Sequence, residues 1–212
     1  MSGKNIDKIL TSLKKEYPNA KVALNFSNPL EILVATVLSA QCTDERVNMV
    51  TKSLFKKYRK AQDYAKANLK TFEQEIRTTG FYHSKAKSII SAAQKMVKDF
   101  DGKVPDSMDK LMQLPGVARK TANIVLSNGF GKVEGIAVDT HVRRLSQRLG
   151  LTKNKEPDKI EQDLMKLLNK KEWGKFSYLL IDHGRKICDA KKPDCLECIL
   201  QKLCPSKKSF YP

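Results

Sequence analysis

Nowhere does this chain of 212 residues contain a long hydrophobic run. Its longest, Ile32 to Leu38, is broken by Thr36 and preceded by Glu31, far from the ~20 apolar residues that span a bilayer. A membrane-spanning helix is excluded. The opening MSGKNIDKILTSLKKEYP carries Asp7 and Glu16 and no long apolar core, which excludes a secretory signal. The expectation is an intracellular protein, in which five cysteines do not form structural disulfides. Alternating strand patterns, low-complexity tracts and fixed-period repeats are also missing. Aromatic residues make up only 7%. Acidic residues are in deficit, 23 Asp and Glu against 40 Lys and Arg, for a net charge of +17 and a pI near 9.7.

What is present suffices to fold. Apolar residues make up 41% of the chain, and the length allows one large domain or two small ones sharing a core. So basic a protein meets a polyanion, nucleic acid first; the alternative is a solvated, lysine-rich surface.

The apolar residues recur at helical spacing. Ile6, Ile9, Leu10, Leu13 and Tyr17 follow i, i+3, i+4, i+7. Asn28-Pro29 reads as a cap followed by proline at the first helical position, leading into Leu30, Leu33, Val34, Val37 and Leu38. Thr43 with Asp44 and Glu45 starts a helix whose apolar face is Val47, Val50, Leu54, Phe55 and Tyr58. Ser84 starts one carrying Ala86, Ile89, Ile90, Ala93, Val97 and Phe100, and Ser107 caps a short one. Further helices are expected from Asp139 to Leu149, from Pro157, and from Glu172 to Ile181. The fold class is all-α. GKVEGIAV, residues 131–138, is the best candidate for a crossing between two lobes.

One turn raises a chemical question. LPGVARKTANIVLSNG, residues 114–129, places Pro115-Gly116 between two short helices and two cations, Arg119 and Lys120, at the start of the second. A helix N-terminus favours anions. Such a turn can point backbone N–H groups at a phosphate, with glycine letting a duplex come close. A helix end, a neighbouring cation and partial burial all disfavour an ammonium ion, and an unprotonated lysine is a nucleophile. An ordinary packed turn is the plainer alternative; the following VARKTA and the +17 charge favour DNA.

LPGVARKTANIVL, VDTHVRRLSQRLGL beginning at Val138, ILVATVLSAQCTDERVN, GFYHSKAKSI and four C-terminal cysteines together resemble the endonuclease III family of DNA glycosylases with lyase activity. The resemblance covers essentially the whole chain. It implies a two-lobed helical protein, residues 22–133 against 1–21 plus 134–212, with a helix–hairpin–helix at about 107–128 and the active site in the cleft. Lys120 falls on the family's catalytic lysine, which attacks C1′ of a damaged nucleotide, forms a Schiff base and cuts by β-elimination. Asp139 falls on its catalytic aspartate, although from local sequence it reads as an N-cap; the two roles are compatible. His141 reads as packing near the site. DNA contacts are implied at Gln41, Phe81, His83, Lys85, Leu114, Gly116, Ala118, Arg119 and Thr121. Gln41 and Phe81 would fill the gap left by the flipped nucleotide, with Asp44 in the pocket wall or simply in a helix's first turn. Three positions depart from the family: Ala118 for glycine, Phe81 for leucine, His83 for asparagine. If position 118 needs a positive φ, alanine costs about 1–2 kcal/mol; in a first helical turn it is harmless.

Cys188, Cys195, Cys198 and Cys204 are spaced C-x6-C-x2-C-x5-C. The spacing leaves zinc or an iron–sulfur cluster open. The resemblance implies a [4Fe–4S] cluster in the loop 188–204, with Lys191, Lys192 and Lys202 facing phosphates or solvent. Cys42 stands apart as a small core or site-wall residue. The expected partner is double-stranded DNA with damaged pyrimidines or abasic sites, bound by a monomer in a prokaryotic cytoplasm, with no membrane. The rivals are a monofunctional glycosylase for another lesion and a non-catalytic helix–hairpin–helix module.

Overall fold

A computed structural model describes residues 3–210. Among them every regular element is helical: α1 (Gly3–Glu16), α2 (Pro29–Leu38), α3 (Asp44–Lys57), α4 (Ala61–Ala65), α5 (Leu69–Glu75), α6 (Tyr82–Asp99), α7 (Met108–Leu111), α8 (Arg119–Gly129), α9 (Thr140–Arg148), α10 (Pro157–Leu167), α11 (Trp173–Lys186) and α12 (Lys207–Phe210), with 3-10 turns at Arg77–Thr79 and Lys170–Glu172. No helix among the described residues is long and apolar enough to cross a membrane.

Local chemistry sets most starts. The Asn28 side chain accepts from the amides of Leu30 and Glu31, both at 3.0 Å, ahead of Pro29. Thr43 accepts from the Arg46 amide at 3.3 Å. Pro157 occupies the first turn of α10. Three expectations need correction. Ser107 holds the cap position of α7 but makes no side-chain cap bond, and that helix is a single turn. α6 begins at Tyr82 rather than Ser84, because Phe81 turns left-handed just before it, and Val97 is exposed rather than in the core. α11 runs beyond Ile181 to Lys186: the apolar stripe is carried on by His183 and Gly184, both buried, whose polar or missing side chains hid it.

The chain divides into two compact units, Ala23–Glu134, and Met1–Val22 together with Gly135–Pro212. In the first, α2 is buried on nearly every side through Ile32, Leu33, Val34, Ala35 and Leu38, packed by α3, α6 and α8, while α4 and α5 lie on α6. All-round burial matches its all-round apolar sequence. In the second, α9 and α1 pack on α11, and α10 on α9. Ile9, Leu13, Val142, Ile160 and Phe176 meet in its core.

Candidate functional site

The hairpin between α7 and α8 is built by one left-handed glycine. Gly116 has φ +77, and a Cβ there would stand 2.6 Å from Ser88 Cβ. Leu114 and Val117 turn inward, 2% and 7% exposed, while Pro115, Gly116 and Ala118 face solvent. The Leu114 side chain is therefore core, and only its backbone is left for a DNA contact. Ala118 has φ −91 and ψ 171, extended backbone that alanine adopts without strain; the glycine of the family pattern is not required there. As N-cap of α8 it offers no side-chain cap. Lys120 follows in the first turn, where no acidic residue stands. Its side chain is exposed, so the expected partial burial does not come from the protein. Arg119 and Thr121 are half-buried. α8 anchors this turn through Ala122, Val125 and Leu126, which are buried.

Asp139 is the N-cap of α9, its Oδ1 accepting from the Val142 amide at 2.8 Å. The cap uses one oxygen of two. The segment leading to it is fastened twice: the Ile136 amide donates to Glu161 Oε1 at 3.2 Å, and Ser177 Oγ donates to the Ala137 carbonyl at 2.8 Å. His141 Nδ1 lies 3.1 Å from an Arg144 guanidinium nitrogen. Burial pushes its pKa below the ordinary histidine value, Asp139 opposing and Arg144 adding to the fall. It packs where α9 meets α11, at Gly184, whose absent Cβ would stand 2.8 Å from His141 Nδ1.

Gln41 and Phe81 share a backbone oddity. Both are left-handed, at φ 53 and φ 48, and both are exposed, Phe81 at 63%. His83 Nδ1 lies 2.9 Å from Glu73 Oε1. Lys85 contradicts its expected role as a DNA contact. It is 4% exposed, and its Nζ donates to the carbonyls of Leu38 at 2.7 Å and Thr79 at 2.8 Å. Asp44 opens α3 in a first turn shared with Glu45, and Cys42 is half-buried.

Cys188, Cys195, Cys198 and Cys204 all line one cavity, about 440 Å³ including its open mouth, with Leu145, Leu149 and Leu200 on its walls. Among the described residues no three His, Cys, Asp or Glu side chains converge on a single-ion site. Four cysteines lining one cavity form a soft sulfur donor set of the kind that holds zinc or an iron–sulfur cluster. Burial pushes the thiols of Cys195 and Cys204 up, and that of Cys198 up to about 11; a bound metal supplies the positive charge that holds thiolates in such a place.

Sequence reading missed the groups that hold this loop. Arg148 donates to the carbonyls of Asp189 at 2.6 Å and Ala190 at 2.8 Å and to Cys188 Sγ at 3.2 Å. Arg144 reaches the Cys188 carbonyl at 3.0 Å. Their i, i+4 spacing in VRRLSQRLG was a visible hint that both share one helix face. His183 Nε2 stands 3.3 Å from Cys198 Sγ, and its Nδ1 2.9 Å from Tyr17 Oη. Lys191, Lys192 and Lys202 are exposed.

Residues 34–170 match the model of the HhH-GPD superfamily of base excision DNA repair proteins. An endonuclease III of Synechocystis sp. is 54% identical over 201 residues, covering 95% of this chain and 92% of that protein. A solved structure of a non-covalent endonuclease III–DNA complex and one of a trapped endonuclease III–DNA covalent intermediate each superpose with a TM-score of 0.94 at 44% identity, over 99% of this chain and 98% of theirs. A helical chain with a glycine-turned hairpin, a lysine in the next first turn and a cysteine-ringed cavity thus belongs to the HhH-GPD superfamily of base excision DNA repair proteins, among its endonuclease III members.

Proposed function

We propose that the chain is a bifunctional DNA glycosylase and abasic-site lyase of base excision repair, removing oxidised or otherwise damaged pyrimidines from duplex DNA. The observation that carries this reading is the placement of Lys120: an exposed amine in the first turn of α8, directly after a hairpin whose backbone faces outward. The hairpin amides and the α8 N-terminus hold a phosphate, which sets the register of the duplex without reading sequence. Lys120 Nζ then attacks C1′ of the flipped nucleotide, and the C1′–N bond breaks as the base leaves with its electron pair. The amine becomes an imine with the opened sugar, a C2′ proton is lost, and the 3′ phosphate departs.

Asp139 takes the proton that Lys120 must lose and stabilises the positive charge that develops on the sugar. Its cap bond to Val142 occupies one oxygen and leaves the other to accept a proton. Water is excluded from Lys120 only when a duplex covers it. Gln41 and Phe81 fill the gap that the flipped nucleotide leaves. Cys188, Cys195, Cys198 and Cys204 hold a [4Fe–4S] cluster, whose contribution is to order a loop poor in apolar residues.

The test is a duplex with a single abasic site, incubated with and without borohydride. The wild-type protein gives a trapped covalent adduct and cleavage on the 3′ side. Lys120→Ala abolishes trapping and keeps most duplex binding. A variant that still traps at the wild-type rate would overturn the assignment. Wild-type binding with neither adduct nor cleavage would leave a monofunctional enzyme or a binding module.

A further inference from the structure

Lys85 is a cation where a hydrophobe would be expected. It stands in the first turn of α6, 4% exposed, on the face shared by Ile89, Ala92 and Met96. Its Nζ donates to two backbone carbonyls. Burial lowers its pKa from the ordinary lysine value, opposed in part by Cys42. A buried ammonium is costly, and methionine fills nearly the same volume without that cost. What the charge holds together explains its presence.

The two carbonyls end two segments. Leu38 is the last residue of α2, whose C-terminus carries the negative end of the helix dipole. Three residues on lies Gln41, at φ 53. Thr79 closes the 3-10 turn Arg77–Thr79. Directly after it come Gly80, at φ 70, and Phe81, at φ 48. The amide of Lys85 itself donates to the Phe81 carbonyl at 3.1 Å. One residue therefore grips the segment of Gln41 and the segment of Phe81, each an exposed side chain on a left-handed backbone, and such conformations persist only where the surroundings enforce them.

We propose that Lys85 is a positioning residue for opening the duplex: its side chain clamps the Gln41 and Phe81 segments into one preset unit, so that both side chains enter the gap together. This rests on the reading of Gln41 and Phe81 as gap-fillers. The clamp spares the protein from ordering two loops at the moment the nucleotide flips.

The experiment uses the full-length protein and two abasic substrates, one duplex and one single-stranded, each with borohydride under single-turnover conditions. A second readout is the fluorescence of 2-aminopurine placed opposite the abasic site, which rises when the opposing base is displaced. Lys85→Met is expected to slow duplex trapping by at least about tenfold and to blunt the fluorescence rise, while single-stranded trapping stays within about twofold. Lys85→Arg, which keeps several donors, restores the duplex rate. The Phe81→Ala, Lys85→Met double variant loses less than the product of the single effects, since both act on one unit. Equal loss on both substrates, or multiplicative losses in the double variant, would overturn the proposal. If Lys85→Met melts below assay temperature, Lys85→Gln, with a single amide donor group, makes the same comparison. A Phe81→Ala variant that opens duplex normally sinks the gap-filling reading itself; an impaired Phe81→Ala beside an unimpaired Lys85→Met sinks only the clamp.

Discussion

At the scale of single residues, the departure at Ala118 has a physical consequence. A serine at this extended N-cap position would accept from an amide in the first turn of α8, raising stability by about 0.5–2 kcal/mol. The same bond would compete with a DNA phosphate for that amide. Ala118→Ser is therefore expected to raise the melting temperature and weaken duplex binding together. A calorimetric melt and a titration at fixed salt check this, and a rise in both would show that the amide is not used for DNA. Lysine placements were only half legible. Lys120 stands out by its place after LPGVAR, and the structure leaves it exposed. Lys85 reads as a surface cation by residue type, yet its spacing from Ile89, Ala92 and Met96 puts it on the buried stripe of α6; periodicity outranked polarity there. The left-handed backbones of Gln41 and Phe81 could not be read, because neither residue is glycine and the force that holds them is a side chain elsewhere.

Elements were legible where their ends carry side-chain chemistry. Asn28 with Pro29, Thr43, Asp139 and Pro157 marked helix starts that the structure keeps. Starts fixed by distant packing were not: α6 begins at a residue held by its neighbours, and α11 outlasts its apolar pattern. The cysteine loop belongs to this second kind. Its spacing is in the sequence, but Arg148 reaches it from some forty residues away, which no local pattern discloses. Arg148→Met keeps the stem that packs against the loop and removes the donors to Cys188, Asp189 and Ala190. Groups that orient metal ligands typically contribute about 10–100-fold to metal affinity. With the proposed iron–sulfur cluster in place, the variant is expected to lose iron correspondingly faster to a chelator than the wild type does, with helix content unchanged by circular dichroism. Iron retention at the wild-type rate would mean that the cysteines alone define the loop.

For the whole molecule, charge is the property visible before any folding. A net +17 predicts binding dominated by counterion release, in which the logarithm of affinity falls by about 0.9 per phosphate contact for each tenfold rise in salt. On the proposed grip of the hairpin on phosphate, undamaged and abasic duplexes should show similar slopes and differ in intercept. Titrations across a salt series check it. A slope that steepens only for the abasic duplex would place the phosphate contacts in the flipped state rather than in the first encounter.

The unit that holds the cysteines is assembled from two distant stretches of chain: α1 packs against α11, with the whole of Ala23–Glu134 lying between them in sequence. On a ribosome the order of emergence then matters. The intervening unit is complete and able to fold while α1 still waits, its apolar stripe uncovered, on the order of ten seconds at ordinary elongation rates. The cysteines leave the tunnel later still. The cysteine-lined cavity is thus the last part of the protein to be completed, and a stall in translation would leave a half-protein that already carries the hairpin and Lys120 but lacks the cysteine loop.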